Sequence, residues 1–481
     1  MSWSPFLILI HNITSIGIRL AMIALIPRWH QPAVATAWLL VIFFWPIPGL
    51  FFYLLIGGSK LPGERIARHE RMLARLERET ALIRKIRESA PPSLPERLER
   101  FCNLATTLGD MPITGGNDVQ FITSSEELVK RLSSDIDNAS EHIHLLYYIL
   151  NEDKLTRPLF EALERAAGRG VTCRILADTL GSKKFLKKTA PRLREAGISV
   201  VGALPPSLFR RIRATARFDL RNHRKLAVID GKKAYTGSHN LIDPTYGGKA
   251  RGRSWHDVTI AIEGPATTQL QRVFLEDWYV ETNDMSEDVF SFTDMALPGS
   301  ALLQTVPSGP SYPTENYQRL VVSALHAARR RVIITTPYLI PDEGLIEALE
   351  VAVLGGARVQ LIVPEQSDQF LVGNAARSYY EQIMELGVEL YLYQPGILHS
   401  KTMTVDSDTA FIGTSNFDIR SFALNFELNM ILYHGESLWS LRNLQESYME
   451  ESRRLSLEEW RDRSLVMETI QGITKLFSPL L

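Results

Sequence analysis

One set of reactive side chains occurs twice in this chain at the same spacing: His223, Lys225 and Asp230, then His399, Lys401 and Asp406. Each set is followed at a matching offset by a small polar loop, Gly237-Ser238-His239-Asn240 and Gly413-Thr414-Ser415-Asn416. Imidazole serves as nucleophile or as acid and base near neutral pH. Lysine, asparagine and a small hydroxyl converging on one spot suit a phosphate, since they supply charge and directed donors. Lys225, Lys401, Ser238, Asn240, Thr414 and Asn416 are therefore the expected phosphate binders.

Two histidines facing one phosphodiester point to double displacement. One neutral ring attacks phosphorus and forms a phosphoramide link; the other, protonated, gives its proton to the leaving alcohol and later takes one from the incoming hydroxyl. The lysines neutralise the phosphate oxygens, so no metal or cofactor is expected. Spacing does not say which histidine attacks. Asp230 and Asp406 complete the two catalytic sets, but each falls at a turn and is expected to support its motif rather than carry protons.

Several elements must position these groups. His-x-Lys puts both side chains on one face if it lies on a strand, and Leu226–Ile229 and Thr402–Val405 continue such strands. The histidines stand 176 residues apart, so two lobes must each supply half of one site. The repeat extends upstream: Leu159–Glu164 matches Leu345–Glu350, and Gly170–Leu176 matches Gly356–Ile362, both at an offset of 186. Each copy reads as strand, amphipathic helix, glycine stop and buried strand, a right-handed parallel crossover. The expected fold is α/β with two similar lobes, 106–295 and 296–481, sharing one site.

Residues 1–59 read as membrane-embedded. Trp38–Ile56 is almost wholly apolar and long enough to cross the roughly 30 Å hydrocarbon layer, with Pro46, Pro48 and Gly49 as kinks; Pro5–Ile26 is a second candidate, making a hairpin. Lys60, Arg65, Arg68, Arg71, Arg75 and Arg78 follow, which places the lobes on the cytoplasmic side. Residues 60–105 are expected as a basic helical linker, either solvated or resting on headgroups. Net charge of −1 argues against a nucleic-acid coater, and Cys102 and Cys173 alone provide neither a zinc set nor a disulfide framework. The run Arg210, Arg211, Arg213, Arg217, Arg221 and Arg224 is expected at a mouth that attracts anionic, partly apolar substrates.

The paired motifs resemble the HKD signature of the phospholipase D superfamily, and within it the chain is similar to the bacterial cardiolipin synthases. Trp38–Gly58, Asp219–Lys225, and Asn416–Ser421 continuing to Leu424–Glu427 carry the narrower likeness, which runs along nearly the whole chain. The resemblance implies transfer of a phosphatidyl group between two phosphatidylglycerol molecules, giving cardiolipin and glycerol through a phosphatidyl-histidine. It implies His223 as nucleophile, His399 as acid and base, and Asp257 and Glu427 as carboxylates orienting the histidines. Expected partners are phosphatidylglycerol and anionic membrane lipid at the bacterial inner membrane, with no nucleic acid; oligomeric state is left open. A hydrolase using water as acceptor, a nuclease of the same superfamily and an inactive lipid-binding scaffold remain the alternatives.

Overall fold

The computed structural model describes residues 5–30, 32–57, 61, 63–74, 94–205, 220–246, 253–284, 296–312 and 315–478. The chain divides into an N-terminal unit ending at Glu64 and a larger unit that begins at Arg65.

Within the N-terminal unit, Pro5–Arg28 is the helix long and apolar enough to cross a membrane. Its 24 residues reach about 36 Å at 1.5 Å per residue. The segment expected to be the stronger span is instead broken. Helices Pro32–Phe44 and Pro46–Phe52 meet at Trp45, whose ψ of 78° is not helical. Pro46 and Pro48 lack the N–H groups that would continue the helical ladder. The chain folds back so closely that a Cβ on Gly49 would stand 2.9 Å from the Ile42 Cα. Arg19 donates through Nε (3.1 Å) and Nη2 (2.9 Å) to the Phe43 carbonyl at the break. A carbonyl freed in an apolar environment requires such a partner.

In the larger unit both lobes belong to one fifteen-stranded sheet. From the seam outward, lobe 1 runs Thr114–Ile122, Thr259–Glu263, Lys233–Gly237, Lys225–Ile229, His142–Tyr147, Thr172–Asp178 and Ser199–Ala203. Lobe 2 repeats that order with Ala301–Ser308, Glu427–Tyr433, Thr409–Gly413, Thr402–Val405, Arg331–Thr335, Arg358–Pro364 and Glu389–Tyr393, then adds Ser452–Leu455. The three strands of each parallel set are joined by the expected crossovers. At the seam, Thr114–Ile122 and Ala301–Ser308 pair antiparallel. Apolar packing also crosses it: Leu226, Val228 and Ile260 share a cluster with Leu303, Ile412 and Met430.

Two segments of the expected linker are parts of this body. Helix Glu96–Gly109 places Leu98, Phe101, Cys102 and Ala105, spaced i, i+3, i+4, i+7, in the lobe 2 core. Upstream, Met72 is buried in the cluster that spans the seam, and Arg65 pairs with Glu281. Residues 75–93 lie outside the described residues.

Asp230 and Asp406 fasten the motif strands. Both have left-handed backbones, with φ of 52° and 49°. The Asp230 carboxylate accepts from the N–H groups of Ser140, Glu141 and His142 at 2.8–2.9 Å. Asp406 accepts from those of Arg329, Arg330 and Arg331 over the same range. Each thus holds the start of the parallel strand beside its motif strand, about 20 Å of extended chain from its histidine. Burial alone would raise the Asp230 pKa, but the three N–H donors outweigh it and hold it below the usual carboxylate value. Its stabilisation is therefore complete above the unfolded pKa of about 4 and fades as pH falls through the lower, folded value. Asp230→Ala should cost about 2–3 kcal/mol, read as a lower denaturation midpoint of the purified protein at neutral pH. The gap to wild type should narrow in acid, and equal stability at neutral pH would refute the fastening role.

Candidate active site

The histidines do not lie on the motif strands. Those strands begin at Lys225 and Thr402, and the extended residues before them cross to the opposite lobe. In lobe 1, His223 N–H donates to Phe426 O and Phe426 N–H to Arg221 O, both at 2.9 Å. In lobe 2, Ile397–Leu398 pairs in parallel with Trp255–His256, and His399 N–H donates to His256 O at 2.8 Å. Each histidine is thereby delivered beside a carboxylate of the other lobe. His223 Nδ1 lies 3.0 Å from both Glu427 carboxylate oxygens, and His399 Nδ1 lies 2.6 Å from Asp257 Oδ1. A carboxylate only accepts, so each Nδ1 carries the hydrogen and each Nε2 is the ring nitrogen left for chemistry.

The lysines point inward. Lys225 and Lys401 are each 1% exposed, and their ammonium groups donate to the carbonyls of His223 (2.7 Å) and His399 (2.5 Å). Lys401 feels the charge of Lys225, and each histidine feels both lysines, so the four groups form one cluster. Burial pushes Lys225 down to about 8 and Lys401 well below its ordinary value. It also lowers His223, against the pull of Glu427, and with Lys401 it drives His399 to about 3. Asp257, which burial alone would raise, is held well below the carboxylate range by His399, His239 and Lys401. The resting cluster is thus two near-neutral imidazoles beside lysines whose charge an arriving anion would reinforce.

The small hydroxyls expected to bind phosphate are buried and hydrogen-bonded within the protein. Ser238 and Thr414 are both fully buried. Ser238 Oγ accepts from Val258 N–H at 2.9 Å, and Thr414 Oγ1 accepts from Leu428 N–H at 2.8 Å. The Thr414 hydroxyl also donates to Glu427 at 2.5 Å. Val258 and Leu428 directly follow the orienting carboxylates, so these loops position Asp257 and Glu427. Gly237 and Gly413 permit the close approach: a Cβ on either would stand 2.3 Å from Val258 O or the Asn429 side chain. Asn240 Oδ1 accepts from Ile149 N–H at 3.2 Å, and Asn416 Nδ2 donates to Asp418 at 3.0 Å while its buried Oδ1 is unpaired.

Arg224, expected at a charged mouth, is 2% exposed. Its Nε donates to Glu427 O at 3.0 Å and its Nη1 pairs with Asp277 at 2.7 Å, so it ties lobe 1 to the backbone of the orienting glutamate. Arg221 is also buried, and Arg210, Arg211, Arg213 and Arg217 lie outside the described residues. Two aromatic neighbours gave no signal in the repeat. Tyr148 meets the His223 ring edge-on at 4.8 Å, and Trp255 meets His399 at 4.9 Å with Tyr246 stacked behind it. Among the described residues, no three His, Cys, Asp or Glu side chains gather as a metal site would require.

The charge balance sets a pH dependence. kcat/KM reports the free enzyme, where Lys225 is pushed down to about 8. It should therefore fall as pH rises through that value, whereas kcat should hold to higher pH because a bound phosphate anion raises the lysine again. A kcat/KM that is flat to strongly alkaline pH would contradict the buried-lysine account.

Comparisons with known proteins agree with this geometry. The family model described as "Cardiolipin synthase, PLD-like domain" matches residues 132–278 and 321–448. The chain is 31% identical to cardiolipin synthase A of Proteus mirabilis, over 100% of this chain and 99% of that one. It is 35% identical to cardiolipin synthase A of Pectobacterium carotovorum over 93% of each. The fold is similar to that of a phosphatidylserine synthase from Haemophilus influenzae, with a TM-score of 0.57 at 14% identity, covering 79% of this chain and 97% of that one. The chain belongs to the cardiolipin synthase family of phospholipase D-like enzymes.

Proposed function

We propose that the protein transfers a phosphatidyl group from one phosphatidylglycerol to the free hydroxyl of another, giving cardiolipin and glycerol. The observation that carries this reading is the crossed pair of clamps, His223 on Glu427 and His399 on Asp257. It leaves both Nε2 atoms available for chemistry in the cluster that holds Lys225 and Lys401. His223 attacks phosphorus and becomes phosphatidyl-histidine while His399 protonates the departing glycerol. His399 gains that proton when the anionic phosphodiester arrives, because a nearby negative charge raises an imidazole pKa. In the second step His399 takes a proton from the incoming phosphatidylglycerol hydroxyl. Lys225 and Lys401 hold the phosphate oxygens, and Asn240 and Asn416 border them. Family membership over the full chain supports the lipid acceptor over water.

Purified protein given phosphatidylglycerol should yield cardiolipin and glycerol in equal amounts; phosphatidic acid as the main product would establish a hydrolase instead. His223→Ala and His399→Ala should each abolish transfer, with the double variant little worse. His399→Asn should slow both steps, and whatever phosphatidyl is transferred should remain on His223, seen by mass spectrometry. Label found only on His399, in His223→Asn, would reverse the two roles.

The protein sits in the bacterial inner membrane with its lobes on the cytoplasmic side, as the basic residues after the apolar segments favour. A single crossing by Pro5–Arg28, with the broken second segment folding back, puts the N-terminus on the other side. An N-terminal reporter should read as periplasmic and one after Leu481 as cytoplasmic. Two cytoplasmic readings would mean that the second segment crosses.

A further inference from the structure

Helix Leu465–Lys475 is amphipathic in the wrong sense for water. Its inward side chains are polar: Gln471, Thr474 and, just beyond it, Ser478 are at most 5% exposed. Outward it exposes large apolar side chains, Leu465, Val466, Ile473 and, just beyond it, Leu476, at 54–79%, alongside Glu468 and Thr469. At about 100° per residue, Leu465, Ile473 and Leu476 share one stripe, opposite Gln471, Thr474 and Ser478. A surface helix in water shows the reverse pattern.

Specific contacts fix this orientation. Ser464 caps the helix by accepting from Met467 N–H, the Tyr379 and Ser478 hydroxyls meet at 3.2 Å, and the Lys475 ammonium lies 4.4 Å from the Tyr379 ring centre. The neighbouring helix Phe370–Arg377 extends the surface with Phe370, 72% exposed, and Leu371. Among the described residues from 65 onward, these helices and adjoining Leu476 and Phe477 carry eight of the thirteen exposed large apolar side chains, so this is a patch and not a scatter.

A short series of side-chain contacts leads from the patch to the active site. Asp368 and Gln369, just before Phe370, both bond the Tyr338 hydroxyl. Tyr338 and Asp368 lie within electrostatic reach of Tyr246, whose ring stacks on Trp255 beside His399. We infer that this surface docks the catalytic body on a phospholipid bilayer, with the helix seated at the headgroup–acyl boundary and the rim of the site at lipid level. The inference rests on the reading that the substrate is a membrane lipid. Glu468 and Lys475, seven residues apart, lie together on one side of the apolar stripe. Membrane lipid is the occupant that the proposed substrate and the membrane-length helix Pro5–Arg28 both favour over a protein partner.

Cys102 and Cys173 are buried, so one new thiol can be labelled in the full-length protein. Ile473→Cys carrying an environment-sensitive fluorophore, in phosphatidylglycerol vesicles, should shift to the blue and be quenched by brominated lipid but not by aqueous iodide. The same label at Glu161→Cys, an exposed position on helix Arg157–Gly168, should show the opposite pattern. Iodide quenching at 473 equal to that at 161 would overturn the proposal. Shielding from both quenchers would also overturn it, in favour of a second copy or another protein. Ile473→Glu with Leu476→Glu should raise the KM for vesicle phosphatidylglycerol roughly tenfold and leave turnover in detergent micelles unchanged. The quenching requires no turnover, so a failure of the reaction assay and a failure of docking are told apart.

Discussion

Each imidazole is clamped by a carboxylate belonging to the other half of the chain, and the architecture is arranged so that those two clamps do not slip. A buried carboxylate separated from its partner costs about 3–5 kcal/mol, and a proton-transfer geometry is lost with displacements well under an ångström. A hinge between lobes would therefore disable both half-sites together. The seam is instead a run of paired strands within one continuous sheet. The segments before the histidines add inter-lobe backbone bonds of their own, and Arg224 ties lobe 1 to the carbonyl of Glu427. Rigidity across the seam is thus what the duplicated fold supplies to the chemistry.

The same burial that holds the clamps tunes the charges. Two lysines within one dry cluster oppose each other's protonation, and only the orienting carboxylates and neighbours such as Asp178 counter this. On the proposed mechanism a phosphodiester is then more than a substrate. Its negative charge restores the lysines and raises the imidazole that must act as acid, so binding prepares the protonation state that the first step uses.

The reactive set was legible because its spacing repeats and because few side-chain types can do phosphoryl chemistry. The parallel crossovers were legible from periodicity. The rest depended on contacts between distant segments, which periodicity does not encode. Asp257 and Glu427 carry no local pattern, and their link to the histidines came from family likeness rather than spacing. Ser238 and Thr414 looked like phosphate ligands because a small hydroxyl beside asparagine suits one; only the register with Val258 and Leu428 shows their hydroxyls occupied. Arg224 belongs by composition to a basic run and by position to the core. Glu96–Gly109 precedes lobe 1 in sequence yet packs in lobe 2. Pro46 and Pro48 were visible as kinks, but that the chain folds back there required seeing Gly49 against Ile42.

Duplication produces two nearly equivalent half-sites, while the double displacement proposed above needs two inequivalent histidines. The difference is built around the shared core. Glu427 spans His223 with both oxygens and is itself held by the Thr414 hydroxyl and Asn425. Asp257, one carbon shorter, reaches His399 through one oxygen at the closer distance of 2.6 Å. The matching hydroxyl, Ser238, bonds backbone and leaves Asp257 alone. Burial and the Lys401 charge, against the pull of Asp257, displace His399 strongly downward, and its ring meets Trp255 edge-on, whereas His223, lowered by burial against the pull of Glu427, borders Tyr148. One added methylene and one redirected hydroxyl are small changes in sequence. Placed beside the carboxylate rather than on the histidine, they change how each ring is gripped, while burial and the lysine charges set the proton affinities of the two rings.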